Sequence, residues 1–168
     1  MDWLTELTTL LPPPSGVAPI ENWAAIEADL GTPLPEDFKT YVDLYGSAYV
    51  GGFFWANSAD TAVEAKRRTE AYAIQARFFP KTFSLPVFPL QGSLLVWGAT
   101  DNGDDLGWIA SGAPESWPVA VLRHEDGQPE VFQMRFGTFM SGVVRGKIRP
   151  DAFPTDVFDA LPMTLWAQ

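Results

Sequence analysis

The chain contains no cysteine and a single histidine in 168 residues. Without thiols, a disulfide framework and a thiolate metal site are both excluded. That composition fits a reducing compartment. A histidine catalyst needs a nucleophile and an orienting acid beside it. Ser111 and Ser116 are candidate nucleophiles for His124 by residue type only, and no G-x-S-x-G elbow is present. A lone loop histidine between Arg123 and Glu125 reads as a solvated surface residue.

Positive charge is also scarce. Eleven Lys and Arg face 21 Asp and Glu, for a formal net charge of −10. Such a balance repels nucleic acid and anionic membrane surfaces. It suits a basic partner protein, and it also serves plain solubility. No apolar run is long enough to span a bilayer. The opening Met-Asp-Trp lacks the basic and apolar regions of a signal peptide. No phosphate-cradling loop is present, since Gly51-Gly52 lacks the strand–loop–helix context and the lysine of such a site. There is no internal repeat. The expectation is one soluble, cytoplasmic domain over residues 1–168, with no cofactor and no nucleic-acid or membrane partner.

What the chain does have is apolar and aromatic bulk. Apolar residues make up 46% and aromatics 14%, which is ample for a packed core. A helix is expected over residues 2–11 and ends at the triple proline Pro12–Pro14. Another is expected over 21–30, with Gly31 as its stop. The clearest helix follows Pro35, which suits a first helical position, while Glu36 and Asp37 suit the positive end of the dipole. Phe38, Tyr41, Val42 and Tyr45 then recur at helical spacing, and Gly46 closes the segment.

Tyr49–Trp55 reads as a strand or a tight bend around Gly51-Gly52. A longer helix, capped by Ser58, is expected to run to about Phe79, with Glu64–Arg68 and Lys66–Glu70 as i,i+4 pairs. Lys66-Arg67-Arg68 is the only basic cluster, and its neighbouring acids mark it as a solvated helix face. Pro80 to Pro89 is a proline-punctuated connector.

Four strands are expected near 94–98, 106–111, 119–123 and 130–134. The first two flank Asn102-Gly103, a pair that favours a tight hairpin because both residues tolerate positive φ. Asp126-Gly127 is a second hairpin signal. Phe139, Met140, Val143 and Val144 suggest a final helix, followed by a proline-broken tail with one helical turn around 155–161. The order of elements is an α+β pattern. It implies a central antiparallel meander of about four to six strands, with N-terminal helices and a C-terminal helix packed on it.

Three segments carry a family resemblance. They are WAAIEADLGTPLPEDFKTYVDLYG from Trp23 to Gly46, LLVWGATDNGDDLGW from Leu94 to Trp108, and the strand and helix from Glu130 to Val144 with FGTFMSGVV. In order and spacing they resemble the SUKH superfamily, in particular its branch related to fungal cell-wall-synthesis regulators. The resemblance covers most of Trp23 to Val144 and leaves residues 1–20 and 147–168 outside as an extension and a tail. It implies an α+β fold and a non-catalytic protein-binding role. Many bacterial members are immunity proteins that bind and neutralise a toxin domain. The shared residues are then scaffold, and the residues that select the partner need match nothing.

Asp101, Asp104 and Asp105 surround the first turn. They read in three ways: as turn chemistry, as an acidic knob for a basic toxin surface, or as a divalent cation site of a small hydrolase. The cation reading lacks the later glutamate and flanking helices of an EF-hand. Tryptophan favours interface anchors, so Trp55, Trp97, Trp108 and Trp117 are weighed as such, with Trp97 assigned to the core. The expected partner-binding set is Asp101, Asp104, Asp105, Trp108, Glu125, Asp126 and Glu130. The alternatives to an immunity protein are a regulatory module with an endogenous partner and a metal hydrolase using the acids of 101–105.

Overall fold

A computed structural model describes residues 2–56 and 61–166. Three helices come first: α1 (Trp3–Leu10), α2 (Trp23–Leu30) and α3 (Glu36–Tyr45). Asp2 caps α1 by accepting from the Leu4 and Thr5 amides, each at 3.0 Å. Asn22 caps α2 in the same way, accepting from the Ala25 amide at 3.0 Å, and Gly31 ends that helix in the left-handed region. Pro35 lies one residue ahead of the expected place, as the N-cap of α3 and not its first helical residue. The stripe Phe38, Tyr41, Val42 and Tyr45 is buried as its spacing requires.

Tyr49–Trp55 turns out to be both of the expected alternatives. Two short strands, β1 (Tyr49–Val50) and β2 (Phe54–Trp55), flank a turn at Gly51-Gly52. Helix α4 (Thr61–Phe78) follows, and the expected cap Ser58 lies outside the described residues. Then come β3 (Ser93–Thr100), β4 (Asp105–Ala110), β5 (Val119–Leu122), β6 (Pro129–Phe132), α5 (Phe136–Val144) and β7 (Leu165–Trp166). A 3-10 turn over Thr155–Phe158 occupies the expected place in the tail.

All strands pair antiparallel, in the order β6-β5-β4-β3-β2-β1-β7. The seven strands among the described residues exceed the four to six expected, because β1, β2 and β7 are only two residues each and carry little periodic signal. The tail therefore closes one sheet edge, with β7 on β1 and Phe153, Phe158 and Met163 buried in the core.

Strand alternation divides the sheet into two apolar faces. Leu95, Trp97, Leu106, Trp108, Val119 and Val121 join the core that holds Leu7, Phe38, Tyr41, Tyr45, Phe136, Phe139 and Val143. Leu94, Val96, Ala120 and Leu122 turn the other way, onto Tyr72 of α4 and Phe83 of the connector. Both faces are covered, so β3 is buried at every position. Phe136 sits at the centre of the larger core. Its ring lies 4.9 Å from Trp97 and 5.2 Å from both Phe38 and Tyr41, at edge-to-face angles.

Register slips once, between Val96 and Gly98 opposite β4. The bulge brings Gly98 against β2, where an added Cβ would stand 2.2 Å from the Trp55 carbonyl oxygen. Helix α5 has no capping side chain of its own. Asp37 of α3 serves instead, accepting from the Gly137 amide at 2.9 Å and from its neighbour Phe38 at 3.0 Å. Among the described residues no helix is long and apolar enough to cross a membrane.

Candidate functional site at the hairpin ends

The β3–β4 and β5–β6 connections emerge at the same end of the meander. The first is a four-residue connection, 101–104. The Gly103 amide donates to the Thr100 carbonyl at 3.0 Å, and the Thr100 amide donates to the Asp104 carbonyl at 3.1 Å. Only Gly103 takes positive φ, at 89°. The two-residue turn expected of Asn102-Gly103 is thus replaced by a longer one in which glycine alone takes the left-handed position. The second connection closes with the Gly127 amide donating to the Arg123 carbonyl at 2.9 Å. Gly127 presses against the Thr82 carbonyl and the Phe83 ring, leaving no room for a side chain.

The three aspartates of the first turn do not converge. Asp101 is exposed, and one oxygen accepts from the Tyr49 hydroxyl at 2.6 Å. That bond holds the phenol's proton and pushes the Tyr49 pKa up to about 12. Asp104 is buried and knits the turn together. It accepts from Thr100 Oγ1 at 2.7 Å and from the His124 amide at 3.2 Å. Asp105 points to the opposite sheet face, where Arg68 of α4 donates to it at 2.6 Å. Burial raises its pKa, and the Arg68 charge pulls it back.

A cation site needs several oxygens aimed at one point. Among the described residues, no group of three or more His, Cys, Asp or Glu side chains is placed to hold a metal ion. The hydrolase alternative required convergence of Asp101, Asp104 and Asp105, but Tyr49 holds the first, Thr100 and the His124 amide the second, and Arg68 the third. Of the expected contact residues, Asp104 is a buried turn brace and Asp105 is ion-paired with Arg68 beneath α4.

Trp108, also expected at the contact surface, is 1% exposed, with its ring 5.0 Å from Phe38, and belongs to the core. Trp97 is buried as expected, and Trp117 is buried too.

Glu125, Asp126 and Glu130 have three different settings. Glu125 is exposed at the turn. Asp126 pairs with Arg123 at 2.6 Å and accepts from the Gln128 amide at 3.0 Å. Glu130 accepts from the Asp151 amide at 2.7 Å, tying the edge strand to the tail, and partial burial raises its pKa.

Between the two turns and the tail lies a polar cleft of about 330 Å³, lined by Asn102, Asp104, Arg123, His124, Glu125, Asp151 and Ala152. Asp151 was missed by sequence reasoning, and no local pattern marks it, because the tail reaches the cleft only through tertiary folding. The exposed acids around this end are Asp101, Glu125 and Asp151. The cleft's side chains can offer charge and hydrogen bonds to a partner surface. Within the cleft, His124 Nδ1 stands 3.7 Å from an oxygen of the buried Asp104.

The SUKH_6 family model, described as SMI1-KNR4 cell-wall, matches residues 20–140. The chain belongs to the SUKH family. The match begins just before α2 and ends within α5, so it spans α2 to α4, the strands β1 to β6 and both hairpin turns, and leaves α1 and β7 outside. No curated protein and no solved structure matches the chain. Within the SUKH frame, α3, the bulged β3 and α5 are core elements. The exposed turn residues are free to differ without disturbing that core.

Proposed function

We propose that this SUKH protein is a cytoplasmic, non-catalytic immunity protein. It binds a cognate toxin domain and neutralises it by covering the active site or the substrate groove. One observation carries this reading. The two turns at one sheet end present Asp101, Glu125 and Asp126, with Asp151 beside them, around a polar cleft on a chain of net charge −10. An acidic surface of this kind complements a basic toxin cleft and speeds encounter with it. The contact set is therefore Asp101, Glu125, Asp126 and Asp151, with Glu130 holding the tail in place through the Asp151 amide.

The test is affinity capture from the native host at low and high salt, with partners identified by mass spectrometry. The reading predicts a stoichiometric, salt-sensitive partner with a toxic C-terminal domain. Adding the purified protein should abolish that domain's activity. A stoichiometric endogenous partner without toxicity contradicts immunity and selects the regulatory module.

A further inference from the structure

Helix α4 packs with part of its apolar side turned outward. Its inner stripe is Ala65, Thr69, Tyr72 and Ala76, with Ala65 and Tyr72 buried and the other two half-buried. The opposite stripe runs Val63, Arg67, Ala71, Ile74 and Phe78, all exposed. Ile74 is 60% exposed, Phe78 69%, and the adjoining Phe79 61%. A surface helix normally shows solvent its polar face. Clustered large apolar side chains on the surface mark a protein-docking site, and aromatics are enriched at the centres of such sites.

Charge says what covers this one. Residues 61–81 hold five of the chain's 11 Lys and Arg but only two of its 21 acids. Lys66 is paired with Asp29, and Arg67 and Arg68 are paired with Glu64. Arg77 and Lys81, which flank Phe78 and Phe79, have no carboxylate partner among the described residues. Glu70, exposed and also unpaired among the described residues, lies two turns before Phe78. The result is a basic, apolar patch on a strongly acidic molecule. An anionic membrane is a poor occupant, because the rest of the protein is repelled from it. A second copy is disfavoured as well, because two chains of net charge −10 repel each other.

We infer that the outer face of α4 docks an acidic amphipathic segment of a partner protein: a helix whose apolar side chains meet Ile74, Phe78 and Phe79 while its carboxylates meet Arg77 and Lys81. Ile74, Arg77, Phe78, Phe79 and Lys81 do not line the polar cleft between the turns, and the inference does not depend on the partner being a toxin.

The test is peptide display against the immobilised full chain, using a random library of peptides about 16 residues long, enough for a helix to follow the outer stripe at 1.5 Å per residue. The expected result is enrichment of sequences with apolar residues at helical spacing and flanking Asp or Glu. Phe78→Ser/Phe79→Ser should weaken a selected peptide at least ~10-fold, and Arg77→Glu/Lys81→Glu should do the same and favour its Lys-flanked counterpart. Thermal midpoints should hold in both variants, since the altered side chains are exposed. Three outcomes overturn the inference. One is the absence of enrichment, or enrichment without acidic bias. Another is equal peptide binding by the double variants. The third is a different occupant, seen either as binding to vesicles of anionic lipid or as self-association of the wild type that Phe78→Ser/Phe79→Ser abolishes.

Discussion

Arg68 of α4 donates to Asp105 at the start of β4 over 2.6 Å, which ties the helix on one sheet face to the strand beneath it. Arg68 also meets Glu64 at 2.8 Å, so a single guanidinium serves two carboxylates. Replacing it leaves Asp105 mostly buried without its cation. Arg68→Met should cost ~1–3 kcal/mol of stability, the range for a buried polar group left without its partner. Chemical denaturation against wild type measures this. A change near zero would mean that water replaces the guanidinium.

The same aspartate makes a pH prediction. Its folded pKa is raised, with burial the largest cause. A carboxyl whose folded pKa exceeds its unfolded one favours the native state when protonated. Its contribution is fully present below the unfolded pKa and is lost as pH rises through the folded value. Wild type should therefore gain stability relative to Asp105→Asn as pH falls from 7 into the carboxylate range. Denaturation of both proteins across that window reads the difference directly, and a constant gap would show that Asp105 does not titrate as described.

Asp37 reaches 100 residues along the chain to cap α5 through the Gly137 amide. Arg135 approaches the same carboxylate at 3.6 Å. Asp37→Ala should destabilise the fold by ~1–3 kcal/mol, while Asp37→Asn, which keeps an acceptor, should cost less. Amide exchange at the first turn of α5 should rise more in the alanine variant than in the asparagine variant.

Gly98 permits the close approach of β2 to the bulge. With only 2.2 Å available to a new Cβ beside the Trp55 oxygen, Gly98→Ala must move backbone. The expected cost is ~1–3 kcal/mol, as for other overpacked sites. Exchange should quicken first at the β2–β3 ladder, where Trp55 faces Ala99. Unchanged protection there would place the strain elsewhere.

Much of the scaffold was legible because local signals agreed with tertiary demands. The stripe on α3, the four long strands and the two turn glycines all follow from spacing and φ preference. The site was read less well for a physical reason. Asp101, Asp104 and Asp105 are close in sequence, but Asp101 sits in the turn and the successive residues Asp104 and Asp105 face opposite ways, so proximity along the chain became separation in space. Trp108 is indistinguishable by type from an interface anchor, and only the packing of Phe38 and Phe136 settles its burial. Lys66 illustrates the same limit. Helical spacing offered Glu70 as its partner, whereas α2 brings Asp29 to 2.6 Å. Asp151 and the Asp37 cap depend on contacts across many residues that leave no periodic trace.

The central claim is that the acidic turns steer a basic partner onto this end of the sheet. It is tested most directly by association kinetics between the captured partner and the variant Asp101→Asn/Glu125→Gln across a range of ionic strength. The account predicts association slowed by ~10-fold at low salt and a flatter salt dependence, with little change in stability, since both side chains are exposed. Identical rates and an identical salt slope for the variant and wild type would contradict it.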